Sequence, residues 1–228
     1  MCQPSSVISR DFHGSEWPRA VIFDCDGLLI DSSPAWLTAY EEVLERCGRA
    51  LADEDFTALL GASVSGAAER LGVPELALRK ALTKSFAAQS PETLEGAEHL
   101  VRSLEGRAKL GVATNGPREL IRRALLAAQL LDPFDAVVSA ESVARAKPAP
   151  DVYVAACRAL DVHPSDAIAL EDSAVGVASA RAAGIMVVYV PSSSAALTDA
   201  DLRVARLDDL ALLRLLGIDD GGPIGQAR

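Results

Sequence analysis

The chain has 228 residues and a mass of 23.9 kDa, and half of its residues are hydrophobic. That is enough for one or two domains with a real core, and it excludes a disordered chain. A formal charge of −10 and a pI near 4.8 set the surface against phosphate backbones, and aromatics at 4% leave no extended base-stacking platform. Nucleic acid is therefore not an expected partner.

Residues 1–17 read as a loose lead-in without the apolar core of a secretory leader. Uninterrupted apolar runs such as Ile185–Val190 are far short of a membrane span. Cys2, Cys25, Cys47 and Cys157 are scattered, with no CxxC or Cys/His spacing, so neither a zinc site nor a disulfide framework is indicated. A soluble cytoplasmic protein, monomeric or at most a weak dimer, is the expectation.

In chain order, the first predicted strand is Ala20–Asp24, and further short apolar runs follow at Leu110–Ala113, Ala136–Ser139, Ala167–Leu170 and Ile185–Val190. Runs of this length without polar alternation suit strands buried on both faces. Helical spacing fills the gaps at Glu98–Leu104, Arg118–Gln129, Pro150–Leu160 and Val175–Ala183. Strand and helix in alternation predict an α/β fold, a Rossmann-like parallel sheet. The stretch 33–91 breaks that alternation and reads as consecutive helices, Ala35–Cys47, Asp53–Leu60, Val64–Leu71 and Glu75–Gln89. The expected organisation is an α/β core of residues 18–32 and 92–228 with an all-α module, 33–91, inserted after the first strand. The Gly-rich tail from Gly217 reads as frayed.

Four segments at or beside predicted strand ends carry chemistry. Asp24 and Asp26, at i and i+2 of an extended segment, point the same way, and two such carboxylates repel unless a proton or cation intervenes. Magnesium, which prefers carboxylate oxygens, is the economical answer. Thr114-Asn115-Gly116 offers a hydroxyl and free N–H groups where a helix opens. Lys147 is bracketed by Pro148 and Pro150, and a lysine held in this way neutralises a phosphate. Glu171 and Asp172 end a further strand, placed to complete a magnesium shell. Each has a plainer reading as a cap, a solvated charge or a helix N-terminus. In a parallel sheet, however, all four share one edge, where ligands bind, and together they indicate metal-assisted phosphoryl transfer.

With D-C-D-G-L-L-I-D-S at 24–32, T-N-G at 114–116, K-P at 147–148 and E-D-S at 171–173, the chain resembles the haloacid dehalogenase-like superfamily of phosphatases and phosphomutases from about Arg19 to Leu216. A-K-P-A-P-D-V-Y and L-E-D-S-A-V-G-V-A-S-A-R-A-A-G are similar to the β-phosphoglucomutase and phosphoglycolate phosphatase branch, which carries a helical cap after its first motif. The resemblance implies Asp24 as nucleophile and Asp26 as acid and base. It implies Thr114, Asn115, Gly116 and Lys147 as phosphate binders. It implies Mg²⁺ on Asp24, the backbone carbonyl of Asp26, Asp172 and Glu171. Asp26, absent from the superfamily's dehalogenases, implies phosphate ester chemistry. Cys25, between the two acids, should face the opposite side and pack.

The cap residues 33–91 hold six basic and eight acidic side chains. Where the β-phosphoglucomutase pattern has an arginine in the cap loop 60–66 this chain has Val64, and where it has a histidine in the first cap helix this chain has Trp36. Both departures weigh against a phosphosugar mutase, the alternative reading, and a non-catalytic relative fits the intact acids poorly. The expectation is a Mg²⁺-dependent phosphatase for a small phosphorylated metabolite, with a small apolar cap pocket bounded by Trp36, Ala62, Ser63 and Val64.

Overall fold

The computed structural model describes residues 18–89, 92–191 and 198–218. The expected lead-in therefore lies outside the described residues, as does the tail beyond Ile218, a residue that is itself buried in the core.

β1 (Ala20–Phe23) is central in a six-stranded sheet. β2 (Ile30–Asp31) and β3 (Glu92–Thr93) form a separate antiparallel pair. β4 (Lys109–Thr114) and β5 (Ala136–Ser139) extend the sheet on one side of β1, and β6 (Ala167–Glu171), β7 (Met186–Tyr189) and β8 (Leu202–Arg203) on the other. All pairings in this sheet are parallel.

The strands divide their side chains between two cores with the period of two that a pleated backbone imposes. Val21, Phe23 and Cys25 join Val112, Leu170 and Val188 in one, with residues of α5 (Ala97–Leu104), α6 (Arg118–Ala127) and α9 (Leu210–Leu215). Ala20, Ile22, Ala113, Ala169 and Val187 join the other, under α7 (Asp151–Ala159) and α8 (Ala174–Ala182). Burying Phe23 or Ile22 from water contributes about 1.5–3 kcal/mol each. Cys25 sits fully buried in the first core, in phase with Phe23 and out of phase with the two acids.

Between β2 and β3 lie α1 (Ser33–Glu45), α2 (Asp53–Leu59), α3 (Val64–Leu71) and α4 (Glu75–Ala88). They share a core of their own, in which Tyr40, Val43, Leu44, Leu71, Leu78 and Leu82 are buried, and Leu120 of α6 packs against it. α1 starts two residues earlier than its apolar spacing indicates, because Pro34 occupies the first turn, where its missing N–H costs nothing. α6 stops before the expected Gln129, which takes a left-handed φ of 57° while Leu130 bonds back to Leu125. Among the described residues no helix is long and apolar enough to cross a membrane.

Candidate active site

Register places the acids. Phe23 pairs with Val112 on one side and Leu170 on the other, so Asp24 emerges level with Ala113, one residue before Thr114, and with Glu171 at one edge of the sheet. Beyond it the chain winds into a tight turn, with the Cys25 carbonyl accepting from the N–H groups of Leu29 at 3.0 Å and Ile30 at 3.1 Å. Gly27 in that turn has φ +81°, and a Cβ there would stand 2.3 Å from Asp172 Oδ2. Only glycine lets this backbone pass so close to the second acid cluster.

Lys147 joins the two clusters. Its Nζ lies 2.7 Å from Asp24 Oδ1 and 2.6 Å from Glu171 Oε1, and all three side chains are nearly inaccessible to water. The ammonium also stands 5.0 Å from the centre of the Tyr153 ring, whose hydroxyl donates to Glu171 Oε1 at 2.6 Å. Burial alone would lower the lysine's pKa, but the Asp24 and Glu171 charges more than reverse this and it is raised. Burial raises Glu171, against the pull of Lys147.

Asp24, Glu171 and Asp172 each offer an oxygen within 4.8 Å of the others. Three carboxyl groups and one ammonium have a formal charge of −2 when all are ionised, which one divalent cation would balance. Hard oxygens in this number suit Mg²⁺, which keeps its remaining sites for water or phosphate. The Asp26 carboxylate is not in this group. It accepts from Ser32 Oγ at 2.5 Å and Trp36 Nε1 at 3.2 Å on Oδ1, and from Thr114 Oγ1 at 3.2 Å on Oδ2. Burial, then the Asp24 charge, raises its pKa, and the three donors only partly offset this.

Thr114, Asn115 and Gly116 stand at the end of β4, turned inward. The Gly116 N–H donates to Thr114 Oγ1 at 2.9 Å, so it is engaged within its own loop. The Asn115 side chain accepts from the Lys147 N–H at 3.0 Å and donates to the Gly61 carbonyl at 2.7 Å, tying the core to the helical cap.

Above these groups the core and cap enclose a cavity of about 630 Å³, its mouth included. The cap wall is formed by Trp36, Tyr40, Phe56, Leu59, Leu60 and Ala62. Ser63 and Val64, expected on the same wall, are placed elsewhere. The loop turns tightly, Ala62 N–H to Leu59 O at 3.0 Å, so Ser63 becomes the N-cap of α3 and Val64 is buried in the cap core. Tyr40 and Phe56 carried no prediction, although Tyr40 is four residues from Trp36 and so on the same helical face. Tyr153 and Ser32 also bond the acids: Tyr153 reaches Glu171 from α7, and Ser32 reaches Asp26 from within the same 24–32 segment.

Carboxylates, an ammonium and a hydroxyl meeting at the ligand-binding edge of a doubly wound sheet define a phosphate-ester type of hydrolase site. Residues 21–190 match the family model described as a haloacid dehalogenase-like hydrolase, and the chain belongs to that family. It is 32% identical over 206 residues to validoxylamine A 7'-phosphate phosphatase of Streptomyces hygroscopicus subsp. limoneus, covering 84% of this chain and 95% of that one. It is 30% identical over 216 residues to hexitol phosphatase B of Escherichia coli, covering 87% and 96%. Its structure is similar to that of CbbY from Rhodobacter sphaeroides in complex with phosphate, with a TM-score of 0.76 at 26% identity over 87% of this chain and 99% of that one.

Proposed function

We propose that the chain is a Mg²⁺-dependent, cytoplasmic phosphatase acting on a small phosphorylated metabolite through an aspartyl-phosphate. The observation that carries this reading is the contrast between Asp24 and Asp26. Asp24 is ion-paired with the Lys147 ammonium, whereas Asp26, two residues on, lies away from that ammonium among hydroxyl and indole donors, and burial raises its pKa. An acid held by a cation and a second one raised by burial are suited to nucleophile and proton donor.

An Asp24 oxygen attacks phosphorus as the ester P–O bond breaks. The leaving oxygen takes the proton from Asp26, and the phosphoryl group stays on Asp24. Asp26, now a carboxylate, takes a proton from water. The resulting hydroxide oxygen attacks phosphorus, the P–O bond to Asp24 breaks, and orthophosphate leaves. Lys147 and the Thr114 hydroxyl hold phosphoryl oxygens throughout. Asp24, Glu171 and Asp172 would hold Mg²⁺, which supplies charge neutralisation to the phosphoryl group. Ser32 and Trp36 fix the Asp26 carboxyl on the cavity side.

The names of the two relatives, a validoxylamine A 7'-phosphate phosphatase and a hexitol phosphatase, support the same reading. A phosphosugar mutase is less well supported, because the cap wall of the cavity carries no cationic side chain among the described residues. The test is phosphate release from a panel of esters with Mg²⁺, with chelator, and with Asp24→Asn. Release that needs Mg²⁺ and vanishes in the variant is expected. Release that persists in Asp24→Asn would overturn the reading.

A further inference from the structure

The ring of Tyr153 is fully buried in the core beneath α7 and α8, where a phenylalanine ring would fill the same volume. Packing does not call for its hydroxyl, and that hydroxyl goes to the acid cluster. It donates to Glu171 Oε1 at 2.6 Å, the same oxygen that accepts from Lys147 Nζ at 2.6 Å. The ring also faces the ammonium, with Nζ 5.0 Å from its centre, a favourable placement for a cation.

The two oxygens of Glu171 are therefore unequal. Two donors use up the lone pairs of Oε1. Oε2 has the Ser173 hydroxyl at 3.3 Å and keeps room for a further partner. The carboxylate lies against Gly176 in the first turn of α8, where a Cβ would stand 1.9 Å from Oε2. Lys147 alone would not set this orientation. Its ammonium is a compact charge with rotatable donors, shared with Asp24 Oδ1 at 2.7 Å, and would bridge both Glu171 oxygens as readily as bind one. The tyrosine hydroxyl, fixed at the end of a packed ring, has no such freedom. Partners that hold the outer oxygen of a ligating carboxylate keep the other one on its ion.

We propose that Tyr153 is a positioning residue for the cation site: with Lys147 it occupies Glu171 Oε1, and so leaves Oε2 as the oxygen that Glu171 gives to Mg²⁺. The inference rests on the Mg²⁺ site of the phosphatase reading above.

The test titrates Mg²⁺ alone into the metal-free full chain by calorimetry, as wild type and as Tyr153→Phe. The variant keeps the ring, its packing and its contact with the ammonium, and removes the hydroxyl. It should bind Mg²⁺ about tenfold more weakly than wild type. The Mg²⁺ concentration that half-activates phosphate release should rise by the same factor, while kcat at saturating Mg²⁺ stays near that of wild type. Cys157→Ala is the packing control, since Cys157 lies four residues further along α7 in the same core and has no bond to the acids among the described residues. It should melt earlier than wild type and bind Mg²⁺ equally well. Equal Mg²⁺ affinity in wild type and Tyr153→Phe would overturn the proposal. So would an equal weakening in Cys157→Ala, which would trace the effect to a loosened helix. A kcat that stays low at saturating Mg²⁺ would assign the hydroxyl to Lys147 instead and overturn it too. Wild type that binds no Mg²⁺ would sink the Mg²⁺ site itself and the proposal with it, whereas wild type that binds no better than Tyr153→Phe sinks the tyrosine's role alone.

Discussion

The Asn115 amide donates to the Gly61 carbonyl across 2.7 Å, and it is the nearest polar tie between the end of β4 and the loop that closes the cavity. The loop seats there because Gly61, at φ +75°, has no side chain: a Cβ would lie 2.9 Å from Ser173 Oγ. Closure of such an element excludes water and completes the site. Gly61→Ala should therefore cost about 1 kcal/mol or more, through left-handed strain and the clash. Steady-state kinetics should show kcat/KM falling about tenfold. An unchanged kcat/KM would mean that this seating plays no part in turnover.

Lys147 neutralises two buried carboxylates, and the isosteric Lys147→Met leaves both without their counter-charge. Removing one member of a buried pair costs about 3–5 kcal/mol, because the remaining charges stay desolvated. Chemical denaturation without metal should report a loss of that order, together with loss of activity. A variant as stable as wild type would show that the acids are neutralised by other means.

Mg²⁺ should raise the melting temperature in the absence of any substrate. Ligand bound only to the folded state stabilises it by about 2.7 kcal/mol at a hundredfold excess over Kd. Asp172→Asn removes one member of the oxygen cluster and should abolish most of the shift. A shift that survives in Asp172→Asn would place the cation elsewhere.

Asp26→Asn separates the two proton transfers. General acid–base catalysis contributes about 10²–10⁴-fold, and p-nitrophenolate leaves without needing a proton. With p-nitrophenyl phosphate the variant should release a burst of one p-nitrophenol per enzyme and then stall, since water activation is lost. With an alkyl ester it should show no burst. Equal burst behaviour with both esters would remove Asp26 as the proton donor.

Burial lifts the Cys157 thiol from about 9 to about 11, and lifts Cys25 well above its ordinary range, while Cys47 is exposed. A folded-state value above the unfolded one favours folding below the unfolded value and loses that advantage as pH rises toward the folded one. Stability should accordingly decline from about pH 9, the ordinary thiol value, upward. Mass spectrometry after brief iodoacetamide treatment should find Cys47 modified in the native protein, and Cys25 and Cys157 only after unfolding.

The long strands and the inserted helices were legible in the sequence because burial on both faces writes continuous apolar runs, as in Ala20–Phe23 and Ala167–Glu171. β2, β3 and β8 went unread, since two residues of mixed polarity carry no periodicity. At the site, strand ends announced Asp24, Thr114 and Glu171 directly. The Lys147 contacts were less accessible: they depend on a loop that returns its ammonium between two strands. The cap wall was read only at Trp36 and Ala62. Tyr40 and Phe56 carry the signature of core aromatics, and nothing local distinguishes a ring that borders a cavity from one that fills a core.

The cap leaves and rejoins the core through a single pair of strands, Ile30 opposite Thr93 and Asp31 opposite Glu92. Its two ends are thus already held side by side, about 5 Å apart, the spacing of residues facing each other across an antiparallel pair. A two-residue turn spans that gap. The helical module is therefore exchangeable in its connections: a different set of helices grafted at β2 and β3 would leave the sheet in place, but to keep the chemistry it would have to supply what Trp36 gives to Asp26 and the Gly61 carbonyl to Asn115.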